Sequence, residues 1–423
     1  MRSLGKRLRS RSILLPPEVW VIFSIALLFR VAFFFHLRSI GMPIHYDGEL
    51  YIALAKGIHN GVFSMFHPLD IPETTRMPGY PFLIDLFNST NALLLFQAII
   101  SAGKIPLFHP ILRELRISDP RIGMIAMLLI AIEPIDIILS GSLLTESIFS
   151  FLLLLAAFLA MRTRTWRGIV LMTIVLASLA YLRPNGFFVA MIPPVLLILR
   201  PKFRRIKAFA GIVLLIALML PWIIRDHAID GRLHISDSGS VVASHFHVPD
   251  VLAKTDPQEA REFKRGLREL AETTDWTDRE SFRNYFQVIS ERTRTVFMEH
   301  PVEWILVQIE KAARIMIAPG RGHISMFFGG SPIVYHALLV LSIFFSIVIA
   351  LICLIAVIQI PDLRWEQWLL IAIVFFLIFS AAISTADARF KNPALPLILL
   401  LGASLLEHWR AIDRDDAPAS RSS

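Results

Sequence analysis

Apolar residues in this chain run in long unbroken blocks, separated by short polar clusters. The blocks fall at roughly 17–36, 91–110, 121–138, 143–161, 168–182, 186–199, 208–224, 333–359, 366–383 and 392–408. A helix needs about 20 apolar residues to cross a hydrocarbon layer about 30 Å thick, and most of these blocks reach or approach that length. The pattern predicts an all-α polytopic membrane protein with about ten transmembrane helices. Residues 1–408 read as the transmembrane domain. Residues 409–423 read as a cytoplasmic tail, disordered from about Asp413.

The polar clusters set an orientation. Arg2, Lys6, Arg7, Arg9 and Arg11 precede the first block. Arg113, Arg116 and Arg121 follow the second; Arg162, Arg164 and Arg167 follow the fourth. Arg200, Lys202, Arg204, Arg205 and Lys207 follow the sixth. If every block crosses, all of these lie on one side, and excess Lys and Arg marks the cytoplasmic side. Both termini are then cytoplasmic, in a cell inner (plasma) membrane, with segments 37–90 and 225–332 on the outer face. The basic start at Met1–Ser12 leads into a long apolar block with no small-residue cleavage site, so it reads as an uncleaved first span.

Both outer segments exceed the length of a plain connector. In the second, Asp256-Pro257-Gln258-Glu259 supplies a helix cap, a proline at the first helical position and an acid at the third. Thr277-Asp278-Arg279-Glu280 repeats a capping-box pattern. A third helix from Pro301 carries Trp304 and Ile305 ahead of Glu310, Lys311 and Arg314, and is expected along the membrane surface.

Composition agrees: 55% hydrophobic, 18% charged, mean hydropathy +0.61. The formal charge of +8 resides in the loop clusters, which points to topology and not to nucleic acid. Cys353 is the sole cysteine and lies in an apolar block, which excludes disulfides, thiolate metal sites and a Cys redox couple.

Candidate chemistry gathers on the outer side. Asp47 and Glu49 sit in "IHYDGELY", just past the first block. They fit a general base held at a membrane surface, a metal-ligand pair or two wetted loop acids. Arg76 opens "RMPGYP", a stiff turn expected to set Tyr80 at the interface. Glu133, Asp136 and Glu146 lie where the third and fourth blocks meet the outer face, and Glu146 heads an apolar run directly. Arg183 occupies the turn "LRPNG", Arg225 follows Trp222 in "PWIIRD", and Asp387, Arg389 and Lys391 precede the last block. Arginine suits phosphate because its planar fork stays charged and binds bidentately. Cations on the outer side, against the positive-inside trend, suit a lipid phosphate; the acids suit deprotonation of a hydroxyl. His245 and His247 offer imidazoles without a fixed third ligand.

In order along most of residues 15–408, these motifs resemble the GT-C polytopic glycosyltransferases, above all the aminoarabinose transferase and protein O-mannosyltransferase branch. "YDGELYIALAKGIHNGVF" matches that branch's acid, tyrosine and small-residue helix at Asp47, Tyr51, Ala55 and Gly57. "RMPGYP" matches its Arg-Pro-Pro-Gly-Tyr-Pro with Met77 for the first proline, and Thr145-Glu146 its Ser/Thr-Glu. "YLRPNG" matches Leu-Thr-Arg-Pro without the threonine, "PWIIRD" matches Pro-Trp-x-x-Arg-Asn with Asp226 for Asn, and "RFKNPALP" matches Arg-Tyr-x-x-Pro. The resemblance implies a polyprenyl-phosphate sugar donor, an outer-face acceptor hydroxyl on a lipid, glycan or protein, and surrounding membrane lipids. It implies inverting transfer with Asp47 as general base, Glu49 or Glu146 orienting substrate or supporting Asp47, and leaving-group stabilisation by some of Arg76, Arg183, Arg225, Arg389 and Lys391, with Tyr80 beside them. Some relatives use a divalent cation and others do not. The rival expectation is a secondary transporter or flippase, for which inverted repeats and mid-membrane acids would be diagnostic.

Overall fold

A computed structural model describes residues 15–64, 72–200, 203–358, 363–385 and 387–415, and these contain helices and no β-strand. The basic cluster before residue 15, Lys202 and the chain after residue 415 lie outside the described residues.

The first helix, α1 (Pro17–Ser39), starts at a proline, carries Glu18 in its first turn and ends with His36 and Arg38, as the helix dipole favours. Next come α2 (Tyr46–His59), α3 (Gly79–Phe87), α4 (Thr90–Ala102) and α5 (Lys104–Glu114). Two further helices, α6 (Pro120–Ile132) and α7 (Pro134–Ser140), are bent by 53° at Glu133, where Pro134 ends the first. The bundle continues through α8 (Glu146–Arg162), α9 (Trp166–Leu182), α10 (Pro184–Leu199) and α11 (Arg205–Asp230).

A polar helical segment follows: α12 (Ser238–Val242), a π-turn at Ala243–His247, α13 (Val248–Thr255), α14 (Pro257–Thr273), α15 (Arg279–Glu299), α16 (Pro301–Ile317) and α17 (Arg321–Phe328). The chain then returns to the bundle with α18 (Pro332–Ile358), α19 (Trp365–Ala381), two 3-10 turns at Ala388–Phe390 and Asn392–Ala394, and α20 (Leu395–Asp415).

Every apolar block is mainly helical over its described residues. By length and composition five helices among the described residues can cross a membrane: Pro17–Ser39, Thr90–Glu114, Arg205–Asp230, Pro332–Ile358 and Ala388–Arg410. The bent α6–α7 pair makes up to six. Trp166–Leu182, Gly186–Leu199 and Trp365–Ala381 are apolar but shorter. Their outward faces are apolar too: Val21, Leu28 and Phe35 on α1 and Val340, Ile347, Leu354 and Val357 on α18 are exposed. In water such faces would be untenable, and lipid is the solvent they suit. The chain is an all-α, multi-pass membrane protein.

Several expectations need adjustment. The block at 143–161 starts as a helix only at Glu146, because residues 141–145 form turns. Helix α14 begins as expected, with the Asp256 carboxylate accepting from Gln258 N–H at 2.7 Å. At α15 the cap is Asp278, which accepts from Ser281 N–H, and not Thr277. Helix α20 runs through residues 409–415. Lys311, read as a polar surface residue, is buried and pairs with Asp250 at 2.7 Å.

Candidate active site

Helix α2 presents Asp47 in its first turn, where unpaired backbone N–H groups favour a carboxylate. The Asp47 N–H donates to the His45 ring, which caps the helix, at 3.3 Å. Gly57 lets the chain fold back after α2: a Cβ there would lie 2.5 Å from the Ser64 carbonyl oxygen.

Opposite Asp47 stands the turn after α19. The Arg389 guanidinium donates to Asp47 Oδ2 at 2.7 Å, and Arg76 reaches 3.8 Å from Oδ1. Arg389 is aimed by Asp387, whose carboxylate accepts the Arg389 backbone N–H at 2.8 Å and binds His323 of α17 at 2.9 Å. The His323 ring stacks on His45, whose Nδ1 is 3.9 Å from Asp47 Oδ2. Burial alone would raise the Asp47 carboxyl, but Arg389 and Arg76 outweigh it and hold the group below its usual range. Burial likewise opposes ionisation of Asp387, yet His323 and Arg389 bring it down to about 2. Asp47 is therefore a carboxylate at neutral pH, with Oδ2 committed and Oδ1 open.

Arg76 is fixed by its own loop. The buried Glu73 accepts the N–H groups of Thr75 at 2.6 Å and Arg76 at 2.9 Å. Gly79 then lets the "PGY" turn press on α9, since a Cβ would lie 2.6 Å from the Tyr181 carbonyl oxygen. Arg225 supports the same loop from α11. It donates to the Glu73 carbonyl at 2.7 Å and stacks over Trp222 at 4.6 Å and Phe63 at 5.2 Å.

A second ion pair lies alongside. Arg183, at the α9–α10 junction, is 3.4 Å from Glu146 Oε1. Glu146 is buried and its Oε2 has no partner. Phe390 joins the two pairs, with its ring centroid 4.9 Å from Arg389 and 6.0 Å from Arg183.

The fold thus brings together Asp47, Arg76, Arg389, Glu146 and Arg183. It sets other expected residues apart. Tyr80 is fully buried, not interfacial; it donates to Gln97 at 2.6 Å and packs edge-on against Tyr51. Lys391 turns inward and donates to the Ala318 carbonyl at 2.6 Å and the Ser346 hydroxyl at 2.8 Å. Glu49 is exposed, and among the described residues its side chain makes no hydrogen bond or ion pair. Glu133 and Asp136 are buried. His247 is buried while its neighbour His245 binds the Val241 carbonyl, so they share no ligand position. Sequence reasoning passed over His45, Glu73 and His323. His45 and Glu73 adjoin motifs already singled out; His323 carries no local signal.

The residues around Asp47 do not fit a divalent cation. Guanidinium groups face both its oxygens, Glu49 is not gathered there, and Asp387 is committed to His323 and the Arg389 backbone.

No family model matches the chain, and no curated protein matches it. Among solved structures it is similar to an archaeal oligosaccharyltransferase, AglB of Archaeoglobus fulgidus, solved with an inhibitory peptide and a dolichol-phosphate. The TM-score is 0.45 and the identity 14%, over 96% of this chain and 52% of that one. This chain therefore spans about half the length of that protein. These figures establish no family.

Proposed function

We propose that the chain is a GT-C type integral-membrane glycosyltransferase, moving a sugar from a polyprenyl-phosphate donor to an acceptor hydroxyl at the outer face of the membrane. One observation carries the reading. A carboxylate with one open oxygen is held between two arginines, one of which, Arg389, opens a membrane-length segment.

Asp47 Oδ1 accepts the proton of the acceptor hydroxyl as that oxygen attacks the anomeric carbon. The new C–O bond forms on the face opposite the leaving group, and the bond to the lipid phosphate breaks with inversion. Arg76 and Arg389 stand where negative charge builds on the departing phosphate; such preorganised cations act most strongly where the site excludes water. Arg183 presents a further cation, and the buried, unpartnered oxygen of Glu146 would accept from a substrate hydroxyl that reaches into the site. Arg225 contributes by holding the Arg76 loop. A base made weak by arginines takes its proton late, as the nucleophile becomes acidic, while remaining ionised and ready at neutral pH. The acceptor is a lipid, glycan or protein of the cell envelope, and the membrane is the inner (plasma) membrane with both termini cytoplasmic.

The test is transfer from a polyprenyl-phosphate sugar by purified protein in lipid. Asp47→Asn is expected to lower turnover by about 10²–10⁴-fold, the range for a lost general base, with only a small fall in melting temperature from the weakened pairing with Arg389. Transfer at the wild-type rate, or cysteine labelling that puts residue 47 in the cytoplasm, removes the proposal.

A transporter reading draws on one feature, the fully buried Asp136 at the broken α6–α7 helix, since broken helices with intramembrane acids mark transport sites. Its oxygens are already taken by Arg30, Lys104, Ser101 and Asn392, which leaves no ligand position there. Substrate counterflow in vesicles, undiminished in Asp47→Asn, would favour transport.

A further inference from the structure

We propose that Asp226, Asp230, His234 and Asp237 form a divalent-metal site, best suited to zinc, that fastens the loop before Arg76 to the end of α11. The proposal stands independently of glycosyl transfer. One ligand atom each from Asp230, His234 and Asp237 lies within 4.8 Å of the others. Helix α11 delivers Asp226 and Asp230 four residues apart, on one face, and ends at Gly231. The returning chain sets His234 Nε2 3.7 Å from Asp230 Oδ2 and 3.2 Å from Asp237 Oδ2.

A second observation points to a missing ligand. Asp226 is 0% exposed; Oδ1 takes Arg225, whereas Oδ2 is buried without a partner. Beyond Arg225, the charged groups around Asp226 are His234 and Asp237. A buried carboxylate oxygen left unpaired is costly, and a metal ion would satisfy it. All-oxygen sites suit magnesium or calcium, while an added imidazole shifts preference towards zinc.

Arg232 now stands in for the ion. It bonds Asp230 through Nε and Nη2 and lies 2.8 Å from Asp237 Oδ1, yet its side chain is 28% exposed and can swing outward. Two positive charges in its place balance three carboxylates more closely than one. Asp237 also accepts the Thr74 hydroxyl at 2.7 Å, and its N–H donates to the Thr74 carbonyl at 2.9 Å. The Ser236 hydroxyl donates to the Thr75 carbonyl at 2.8 Å. Metal binding therefore fixes the strand of chain that leads into Arg76.

The test uses the full chain in detergent, tag removed and stripped with EDTA, then given zinc chloride or magnesium chloride. Wild type is expected to retain about one zinc per chain and to melt higher with zinc but not magnesium. His234→Ala and Asp237→Asn should weaken zinc by more than the roughly 10–100-fold that losing a merely supporting contact costs. Arg232→Gln should melt lower without zinc and bind zinc several-fold tighter, because the competing cation is gone. A salt-bridge clasp alone predicts the same destabilisation of Arg232→Gln, but without rescue by zinc. The proposal fails if neither wild type nor Arg232→Gln responds to zinc, or if His234→Ala binds it as wild type does.

Discussion

Two aspartates in this molecule each meet two cations, and they could hardly be used more differently. Asp136 is fully buried and saturated: Arg30 and Ser101 take one oxygen, Lys104 and Asn392 the other. Asp47 keeps 26% of its side chain exposed, gives one oxygen to Arg389 and leaves the other 3.8 Å from Arg76. The first arrangement ties α1, α4, α5, α7 and the turn before α20 into one knot. The second leaves a lone pair where a reactant can approach. Charge in an apolar chain thus marks function only where its hydrogen-bonding capacity is not already spent.

The largest effect should come from breaking the saturated partner. Asp136→Ala strands two cations beside each other in the interior, and losing one side of a buried ion pair costs about 3–5 kcal/mol. Lys104→Met, in contrast, leaves a neutral Arg30–Asp136 pair and should cost distinctly less. Melting curves in detergent would read the difference. Equal losses from both would mean that the knot acts through packing and not through charge balance.

Next in size is the separation of Arg389 from its near neighbour Lys391. Arg389→Gln is expected to lower transfer by about 10²–10³-fold, as loss of an oxyanion-type donor does, with a small change in melting temperature. Lys391→Met removes a donor from the Ala318 and Met316 carbonyls and the Ser346 hydroxyl, so about 1–3 kcal/mol of stability should go first. If Lys391→Met left stability intact and abolished transfer, Lys391 would belong with the phosphate ligands after all.

The two knots also differ in how far the sequence announces them. The apolar blocks predict every bundle helix, because segment length against hydrocarbon thickness is a local property. Asp47, Arg76, Glu146, Arg183 and Arg389 could each be singled out from a short local motif on the expected outer side. Their partners could not. His323 meets Asp387 across 64 residues and Arg30 meets Asp136 across 106, distances over which no periodicity carries information. The inward turn of Lys391 was hidden for a similar reason. Two residues after Arg389, it looks like the same outer cation, and only the 3-10 turns at Ala388–Phe390 and Asn392–Ala394 send it the other way.

A smaller effect tests the aiming of Arg389. Asp387 titrates near 2 in the fold against about 3.9 in an unfolded chain. A depressed carboxyl lends stability above its unfolded value and loses it as pH falls through the folded one, so the loss belongs between about pH 4 and 2. Asp47, shifted the same way, adds to that limb. Asp387→Asn should flatten the fall of melting temperature over this window, and only modestly, because the Asp387 side chain is 40% exposed and solvent screens it. An unchanged acid limb would show that the His323–Asp387 pair contributes nothing to holding the turn.

The smallest effect is the most exacting for the comparison. Glu49 lies two residues after Asp47 on α2, and residues so spaced do not share a helix face. It is exposed and unpaired, so Glu49→Gln should leave stability within about 0.5 kcal/mol of wild type. Turnover should remain within about twofold, well under the 1.4 kcal/mol that a tenfold change represents. Composition and chain proximity make Glu49 as good a catalyst as Asp47; its helix face and the absence of cations around it argue otherwise. If Glu49→Gln lost as much transfer as Asp47→Asn, the arginine pair would not be what distinguishes the working carboxylate, and the site would have to be rebuilt around both acids.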